Sequence, residues 1–412
     1  MIMNTFFCRF CKSELKDIFL DLGNVPSANS FLTKNEIENE KKYPLCVYTC
    51  RNCLLVQIPE IRSPGDLFSN YAYFSSFSDS WLEHIKKYVE MMIKQFKLNE
   101  QSNIVEIASN DGYLLDFFNK SNIPILGIEP AENVADRAIK KGIPTIKKFF
   151  NIETANALKN DNKQADVIIG NNVLAHVPDI NNFVEGVKIL LKSDGVITME
   201  FPHLLQLIKE NQFDTIYHEH FSYFSFAVIQ KIFASQKLTI FNVEEIPTHG
   251  GSLRIFAKHS ENEQYKIEES VEKLLKKEKE NGLNDFSTYM GFTEKILKIR
   301  KQFNKFLEDA YRDNKSIVCY GAPAKGNTLL NYFKINSKLI KYTVDISPHK
   351  QGLFLPGTHL EIKTPEQIRV TKPDYIIILP WNLKEEIMNQ MKDVREWGGK
   401  FVISIPEVQI IN

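Results

Sequence analysis

The sequence predicts an α/β protein with a small metal-stapled N-terminal domain followed by two parallel-sheet units. Three observations predict this class. Two Cys-x-x-Cys pairs crowd the first 53 residues. After residue 100, short apolar segments with strand character alternate with helical stretches, and the same alternation starts again after residue 316. The chain has 412 residues, enough for two to three domains of about 100–200 residues each.

The cysteine pairs are Cys8-Arg9-Phe10-Cys11 and Cys50-Arg51-Asn52-Cys53. Each turn directs two thiolates at one ion, and together they supply the four soft ligands of a tetrahedral structural Zn2+. Such a site is closed, so it staples a small domain and leaves no coordination position for chemistry. Cys46 is either a substitute ligand or a small buried side chain. Neither pair precedes a clear strand–helix–strand pattern, which speaks against a redox motif. Residues 1–75 carry short strands and turns at Pro26, Pro44, Pro59 and Pro64-Gly65, with too little apolar content to fold readily without metal.

Leu82, Ile85, Val89, Met92, Ile93 and Phe96 recur at three or four residues, which predicts an amphipathic helix over 81–96. Strands follow at 103–107, 125–129, 165–170 and 195–200, with a turn at Asn110-Asp111-Gly112 and a helix start at 114–118. Strands alternating with helices imply a parallel sheet covered on both faces. Residues 260–315 are highly charged and helical, with one apolar stripe of Phe292, Ile296, Ile299, Phe303 and Phe306. The second unit has strands at 317–320, 342–345, 375–379 and 401–405, with helices near 327–333 and 383–391. The expected domains are 1–75, 76–302 and 303–412.

Lys and Arg total 51, as do Asp and Glu, so the net charge is zero. That argues against a nucleic-acid partner, which needs a basic surplus. No apolar run approaches the ~20 residues that span a bilayer. The first residues lack a basic stretch followed by an apolar core. The expectation is a cytoplasmic protein with no membrane partner.

The first sheet carries a cofactor motif. Glu106-Ile107-Ala108-Ser109-Asn110-Asp111-Gly112 follows a strand and opens a helix, and Glu129-Pro130 ends the next strand. This is the layout of a class I, Rossmann-like S-adenosylmethionine methyltransferase. A tight turn lets the backbone approach the cofactor, and the second-strand carboxylate accepts the ribose hydroxyls. Ala108 and Asn110 stand where a glycine-rich loop has Gly, and the absence of a strict G-x-G-x-x-G counts against NAD or FAD. Asn110 tolerates a left-handed backbone. Asn171 and Asn172, after the third strand, suit the loop over the transferable methyl. That loop lacks the Asn/Asp-Pro-Pro-aromatic motif of enzymes that methylate amino groups of nucleic acids.

The densest polar constellation is 213–225, with Tyr217-His218-Glu219-His220 at its centre. His exchanges protons near neutral pH, Glu orients an imidazole, and Tyr donates to a developing oxyanion. General acid–base chemistry is one reading. A metal chelated by His218 and His220 from one face of a strand, or a packed aromatic core, are the others.

These pieces, in this order, resemble the three-domain sugar C-methyltransferases, which methylate C-3 of nucleotide-linked 4-keto-deoxysugars. The resemblance also rests on His249-Gly250-Gly251-Ser252-Leu253-Arg254 and on Tyr320-Gly321-Ala322-Pro323-Ala324-Lys325-Gly326-Asn327, and it covers nearly the whole chain. It implies a central methyltransferase domain and a C-terminal Rossmann-like domain. His220 becomes the general base, with Tyr217 and Glu219 beside it. His176 lies on the loop after the third strand, and Tyr71 reaches the site, with Tyr73 as its competitor. Ala108 departs from the family's frequent Gly, which bears on cofactor fit and leaves the reaction type alone.

The implied reaction removes the C-3 proton beside a ketone, holds the enolate oxygen, and methylates carbon. The C-terminal unit is expected to bind the nucleotide. Gly321, Ala322, Pro323, Lys325 and Asn327 form a diphosphate seat at a helix N-terminus. Trp381 stacks on a base or ribose, or simply packs, beside Asn382. Arg254 contacts the sugar or a phosphate, or forms a surface salt bridge. The rival functions are an O-methyltransferase on the same sugar class, a zinc-containing RNA methyltransferase and a silent scaffold. The expected assembly is a monomer or weak dimer.

Overall fold

Seven strands build the first sheet of the computed structural model, which describes residues 5–68, 79–335 and 338–412. They are β1 (Ile104–Ile107), β2 (Ile125–Ile128), β3 (Thr145–Ile146), β4 (Ala165–Asn171), β5 (Leu191–Pro202), β6 (Leu238–Ile246) and β7 (Ser252–His259). Their spatial order is β3-β2-β1-β4-β5-β7-β6. The first five run parallel, and β7 is antiparallel to both of its neighbours. The order reverses between β1 and β4, the switch point where open α/β sheets bind ligands. This is the class I methyltransferase core that the motifs predicted.

The helices of this unit follow from apolar periodicity. Helix α1 (Asp79–Phe96) buries Ile85, Tyr88, Val89 and Met92 against β1, β4 and β5 residues. Helix α2 is Glu132–Lys140, and α3 is Ile180–Leu190, capped by the Asp179 carboxylate accepting from the Asn182 N–H. Helices α4 (Phe226–Ser235) and α5 (Glu269–Glu280) follow later in the chain. Glu278 of α5 is fully buried because its two oxygens accept the first N–H groups of α4, Phe226 and Ala227, and meet His203 at 2.7 Å.

The second sheet comprises β8 (Ile317–Tyr320), β9 (Thr343–Val344), β10 (Ile362–Lys363), β11 (Tyr375–Ile378), β12 (Lys400–Ile403) and β13 (Gln409–Ile411). Its order is β10-β9-β8-β11-β12-β13, parallel except for β13. The long helix α6 (Phe292–Arg312) buries Phe292, Ile296, Ile299 and Phe303, four of the five stripe residues, together with Leu307 and Ala310. Phe306 is not among these buried residues, and its ring meets Tyr375 edge-on at 5.1 Å. Helix α7 (Ala324–Tyr332) starts three residues earlier than the sequence indicates, directly after the Gly321–Pro323 turn.

The chain divides into two compact units that interleave along the sequence. One holds Met1–Leu15, Cys50–His203 and Phe221–Asn284, and the other holds Lys16–Thr49, Leu204–His220 and Asp285–Asn412. Residues 16–49 group with the second unit for visible reasons. Their strands Asp17–Val25 and Tyr43–Thr49 pair antiparallel. Phe19 stacks on Phe292 at 4.6 Å, Leu32 bridges Phe354, and Glu40 accepts the Gly357 N–H and meets His359. No helix among the described residues is long and apolar enough to cross a membrane.

Candidate active site

The four predicted cysteines converge. The sulfurs of Cys8, Cys11, Cys50 and Cys53 all lie within 4.8 Å of one another, with Cys8–Cys53 at 3.6 Å and Cys11–Cys50 at 3.4 Å. A tetrahedron with Zn–S bonds of about 2.3 Å has edges of about 3.8 Å, so the donor set fits Zn2+. Each knuckle closes in the same way. The Lys12 N–H donates to the Cys8 carbonyl and the Leu54 N–H to the Cys50 carbonyl, with Lys12 and Leu54 at positive φ. Gln57 Nε2 donates to Cys8 Sγ at 3.1 Å. Among the described residues this is the one group of ligating side chains at metal-binding separation. Cys46 is not in it, and burial pushes its thiol up to about 11.

At the carboxyl end of β2, Glu129 holds the loop that follows β1. Its Oε2 accepts the Asn110 N–H at 2.9 Å and its Oε1 accepts the Ala131 N–H at 2.8 Å. Ala108 and Asn110 both sit in the left-handed region, at φ 58° and 51°, which explains why relatives of this motif favour Gly. A Cβ on Gly127 would stand 2.5 Å from Ser109 Oγ, so that glycine lets the loop lie against β2. Gly112 is at φ 74° beneath Ile143. The Asp111 carboxylate meets Lys141 at 2.9 Å and Arg137 at 3.5 Å.

Several buried polar atoms near the switch point have no hydrogen-bond partner among the described residues: Glu106 Oε2, Ser109 Oγ and both amide atoms of Asn171. Burial, with Glu129 and Asp111 nearby, pushes the Glu106 carboxyl well above its ordinary range. Buried groups of this kind are normally satisfied, so acceptors and donors at this place fit a polar, cationic cofactor. Asn172 is at φ 55° and its N–H donates to the Glu200 carbonyl. His176, half-buried, meets Phe68 edge-on at 5.3 Å.

Arg254 differs from the surface ion pair or phosphate contact expected of it. Its guanidinium is buried over Tyr88 and donates to Glu200 at 2.7 Å and Glu244 at 2.9 Å. Burial would raise Glu200, but His84 and Arg254 hold it below the usual carboxylate range. The alternation of β7 turns Arg254 towards Glu200 on β5, its register partner.

In the second unit, 216–220 is a turn and not a strand, so chelation from one strand face by His218 and His220 has no basis in the backbone. The His220 ring lies 4.0 Å from that of Tyr217, and its Nδ1 is 2.9 Å from the Thr215 carbonyl. Both Glu219 oxygens accept from Asn29 Nδ2, at 3.0 and 2.9 Å. His218 meets Tyr43 edge-on. Tyr71 and Tyr73 lie outside the described residues.

Lys325, Trp381 and Asn382, three of the expected substrate residues, meet at the start of α7. Lys325 Nζ donates to Asn382 at 2.8 Å and lies 4.4 Å from the Trp381 ring centre. Trp381 Nε1 donates to Asp214 at 2.7 Å. Burial pushes Asp214 up to about 6, with Lys325 and Trp381 opposing it, and burial lowers Lys325 against the pull of Asp214. Asn327 is buried and donates to the Ala28 carbonyl, while its neighbour Thr328 donates to the Ile216 carbonyl. Gly321 (φ 92°) has no room for a Cβ, which would stand 2.5 Å from Pro380. The Ala322 N–H donates to Asp345 and the Ala322 carbonyl accepts from Lys350. The sequence assigns no role to Asp214, Asn29 or Asp345 individually, because a single polar contact between distant segments leaves no periodic pattern.

Comparison with known proteins follows from this geometry. Family models match three segments: a zinc binding domain over 8–68, a methyltransferase domain over 81–241 and a C-methyltransferase C-terminal domain over 247–406. The C-methyltransferase NovU of Streptomyces niveus is 33% identical over 406 residues, covering 98% of this chain and 96% of that one. The chain belongs to the C-methyltransferase family. It is an S-adenosylmethionine-dependent methyltransferase with a zinc-binding N-terminal segment. Solved methyltransferases align more weakly. An S-adenosylmethionine-dependent enzyme from Anabaena variabilis is 15% identical with TM-score 0.36, covering 42% of this chain and 83% of that one. Another from Clostridium acetobutylicum is 12% identical with TM-score 0.36, covering 44% and 93%. Neither bears on the substrate.

Proposed function

We propose that the chain methylates C-3 of a nucleotide-linked 4-keto-deoxysugar through an enolate raised by His220. The observation that carries this reading is the contact between His220 Nδ1 and the Thr215 carbonyl. A carbonyl only accepts, so Nδ1 holds the proton and the neutral ring keeps its lone pair on Nε2. That is the tautomer a base at Nε2 requires.

His220 Nε2 takes the C-3 proton, which the adjacent ketone acidifies. Tyr217, with His176 as the alternative, is the donor for the developing enolate oxygen in this reading. Glu219, fixed by Asn29, sets the charge beside the imidazole. The resemblance assigns a further role to Tyr71, with Tyr73 as its competitor. S-adenosylmethionine, when bound, supplies an electrophilic methyl group. Glu129 takes its ribose hydroxyls; Glu106 and Asn171 take its charged and polar groups. Ala108, Asn110, Asp111, Gly112, Pro130 and Asn172 shape the pocket around it. Gly321, Ala322, Pro323, Lys325, Asn327, Trp381 and Asn382 seat the nucleotide. Arg254 is not part of this seat, because Glu200 and Glu244 already engage its guanidinium. The functional partition at 1–75, 76–302 and 303–412 belongs to this proposal; the C-terminal family model starts earlier than its last break, at residue 247.

The test uses methyl-13C S-adenosylmethionine and a panel of nucleotide-linked 4-keto sugars. In the 13C-decoupled proton spectrum the expected product shows a singlet from a methyl on a quaternary carbon, upfield of any O-methyl signal. An O-methyl signal, or no product across the panel, overturns the reading.

A further inference from the structure

Arg9 stands between the zinc ligands Cys8 and Cys11, and its counterpart in the other knuckle, Arg51, is exposed. Arg9 is 9% exposed. Its backbone N–H donates to Gln57 Oε1, the same side chain that donates to Cys8 Sγ. Its guanidinium lies 5.4 Å from the Phe221 ring centre and forks between two carbonyls, one nitrogen donating to Ile58 and the other to Pro178. Asn181 Nδ2 then donates back to the carbonyl of Phe10. The knuckle is therefore tied to the segment between β4 and α3.

That segment carries His176. Its short 3-10 turn, Leu174–His176, is held on one side by the Phe221 N–H, which donates to the Ala175 carbonyl. On the other side it is held by Arg9 at Pro178. The Phe221 carbonyl in turn accepts from the Ile58 N–H, next to the second Arg9 contact. Both anchors flank His176 by two residues or fewer. A planar guanidinium can serve two carbonyls at once because its donors diverge in a fixed fork, which an ammonium cannot reproduce.

We propose that Arg9 is a positioning residue through which the zinc knuckle fixes the loop bearing His176. In this account the metal holds Cys8 and Cys11, these hold the Arg9 backbone, and the guanidinium clamps Pro178. The proposal rests, for its kinetic arm only, on the catalytic reading of His176 given above.

The test compares wild type with Arg9→Lys as purified zinc proteins. Amide exchange by mass spectrometry is followed across 172–178, together with zinc content, kcat and KM. Arg9→Lys should retain one zinc and exchange 174–178 at least about tenfold faster. Displacement of a reacting group by about 1 Å is worth up to ~100-fold, so kcat should fall roughly 10–100-fold, with KM for S-adenosylmethionine within about twofold. Wild-type exchange and wild-type kcat in Arg9→Lys overturn the proposal. So does zinc loss that leaves 174–178 as protected as before. If Arg9→Lys does not fold, stripping zinc from the wild-type protein with a chelator gives the same reading. Exchange at 174–178 must then rise, and unchanged protection there refutes the clamp. The exchange measurement needs no sugar substrate, so a wild type inactive on every sugar overturns the function and leaves the Arg9 clamp separately decided.

Discussion

Replacing Glu129 by glutamine keeps the shape of the side chain and removes one acceptor. Both carboxylate oxygens already receive a backbone N–H, from Asn110 and Ala131. In Glu129→Gln the amide nitrogen must face one of those donors, in a position that is 6% exposed. A buried donor left without an acceptor costs about 1–3 kcal/mol, so stability should fall by roughly that amount. Cofactor affinity should fall as well, because a hydrogen bond to a charged group contributes about 1.5–3 kcal/mol. At about 1.4 kcal/mol per tenfold, Kd should rise roughly 10–150-fold. Titration calorimetry with S-adenosylhomocysteine reads the second effect and urea unfolding reads the first. A Kd within about twofold of wild type, with stability unchanged, refutes both the loop-holding and the ribose-binding roles of this carboxylate.

Further predictions concern the second unit. Gly326→Ala places a Cβ 2.9 Å from Leu379. Overpacking of this kind costs about 1–3 kcal/mol, and a denaturation midpoint equal to wild type contradicts the tight packing of α7 on the end of β11. Asp214, pushed up to about 6 by burial, binds its proton more tightly folded than unfolded. Stability attributable to it therefore falls as pH rises from about 4 to 6, by about 3 kcal/mol at 1.36 kcal/mol per unit. Against Asp214→Asn, the wild type should lose that much relative stability between pH 4 and 7; a flat or reversed difference contradicts the assignment.

The cofactor half of the site was legible because its parts are neighbours within one strand–helix–strand repeat. Glu106–Gly112 and Glu129 follow consecutive strands, so the fold brings them together without long-range information. The cysteine pairs were legible because ligand spacing is a chemical signature. What escaped are single polar contacts between distant segments. Asn29 reaches Glu219 across 190 positions, Asn327 reaches Ala28 across 299, and Asp214 reaches Trp381 across 167. One hydrogen bond leaves no periodic trace, and neither does a strand two residues long such as β3 or β10. Arg254 was legible as a cation; its burial depends on Glu200 standing opposite, which only the sheet register fixes.

The central claim is that His220 removes the C-3 proton, and exchange of that proton tests it without methyl transfer. In deuterated water, with S-adenosylhomocysteine bound and the accepted sugar present, wild type should wash deuterium into C-3. His220→Asn should do so roughly 10²–10⁴-fold more slowly, the usual contribution of a positioned base, while binding S-adenosylhomocysteine as tightly as wild type. Wild-type exchange in His220→Asn contradicts the account.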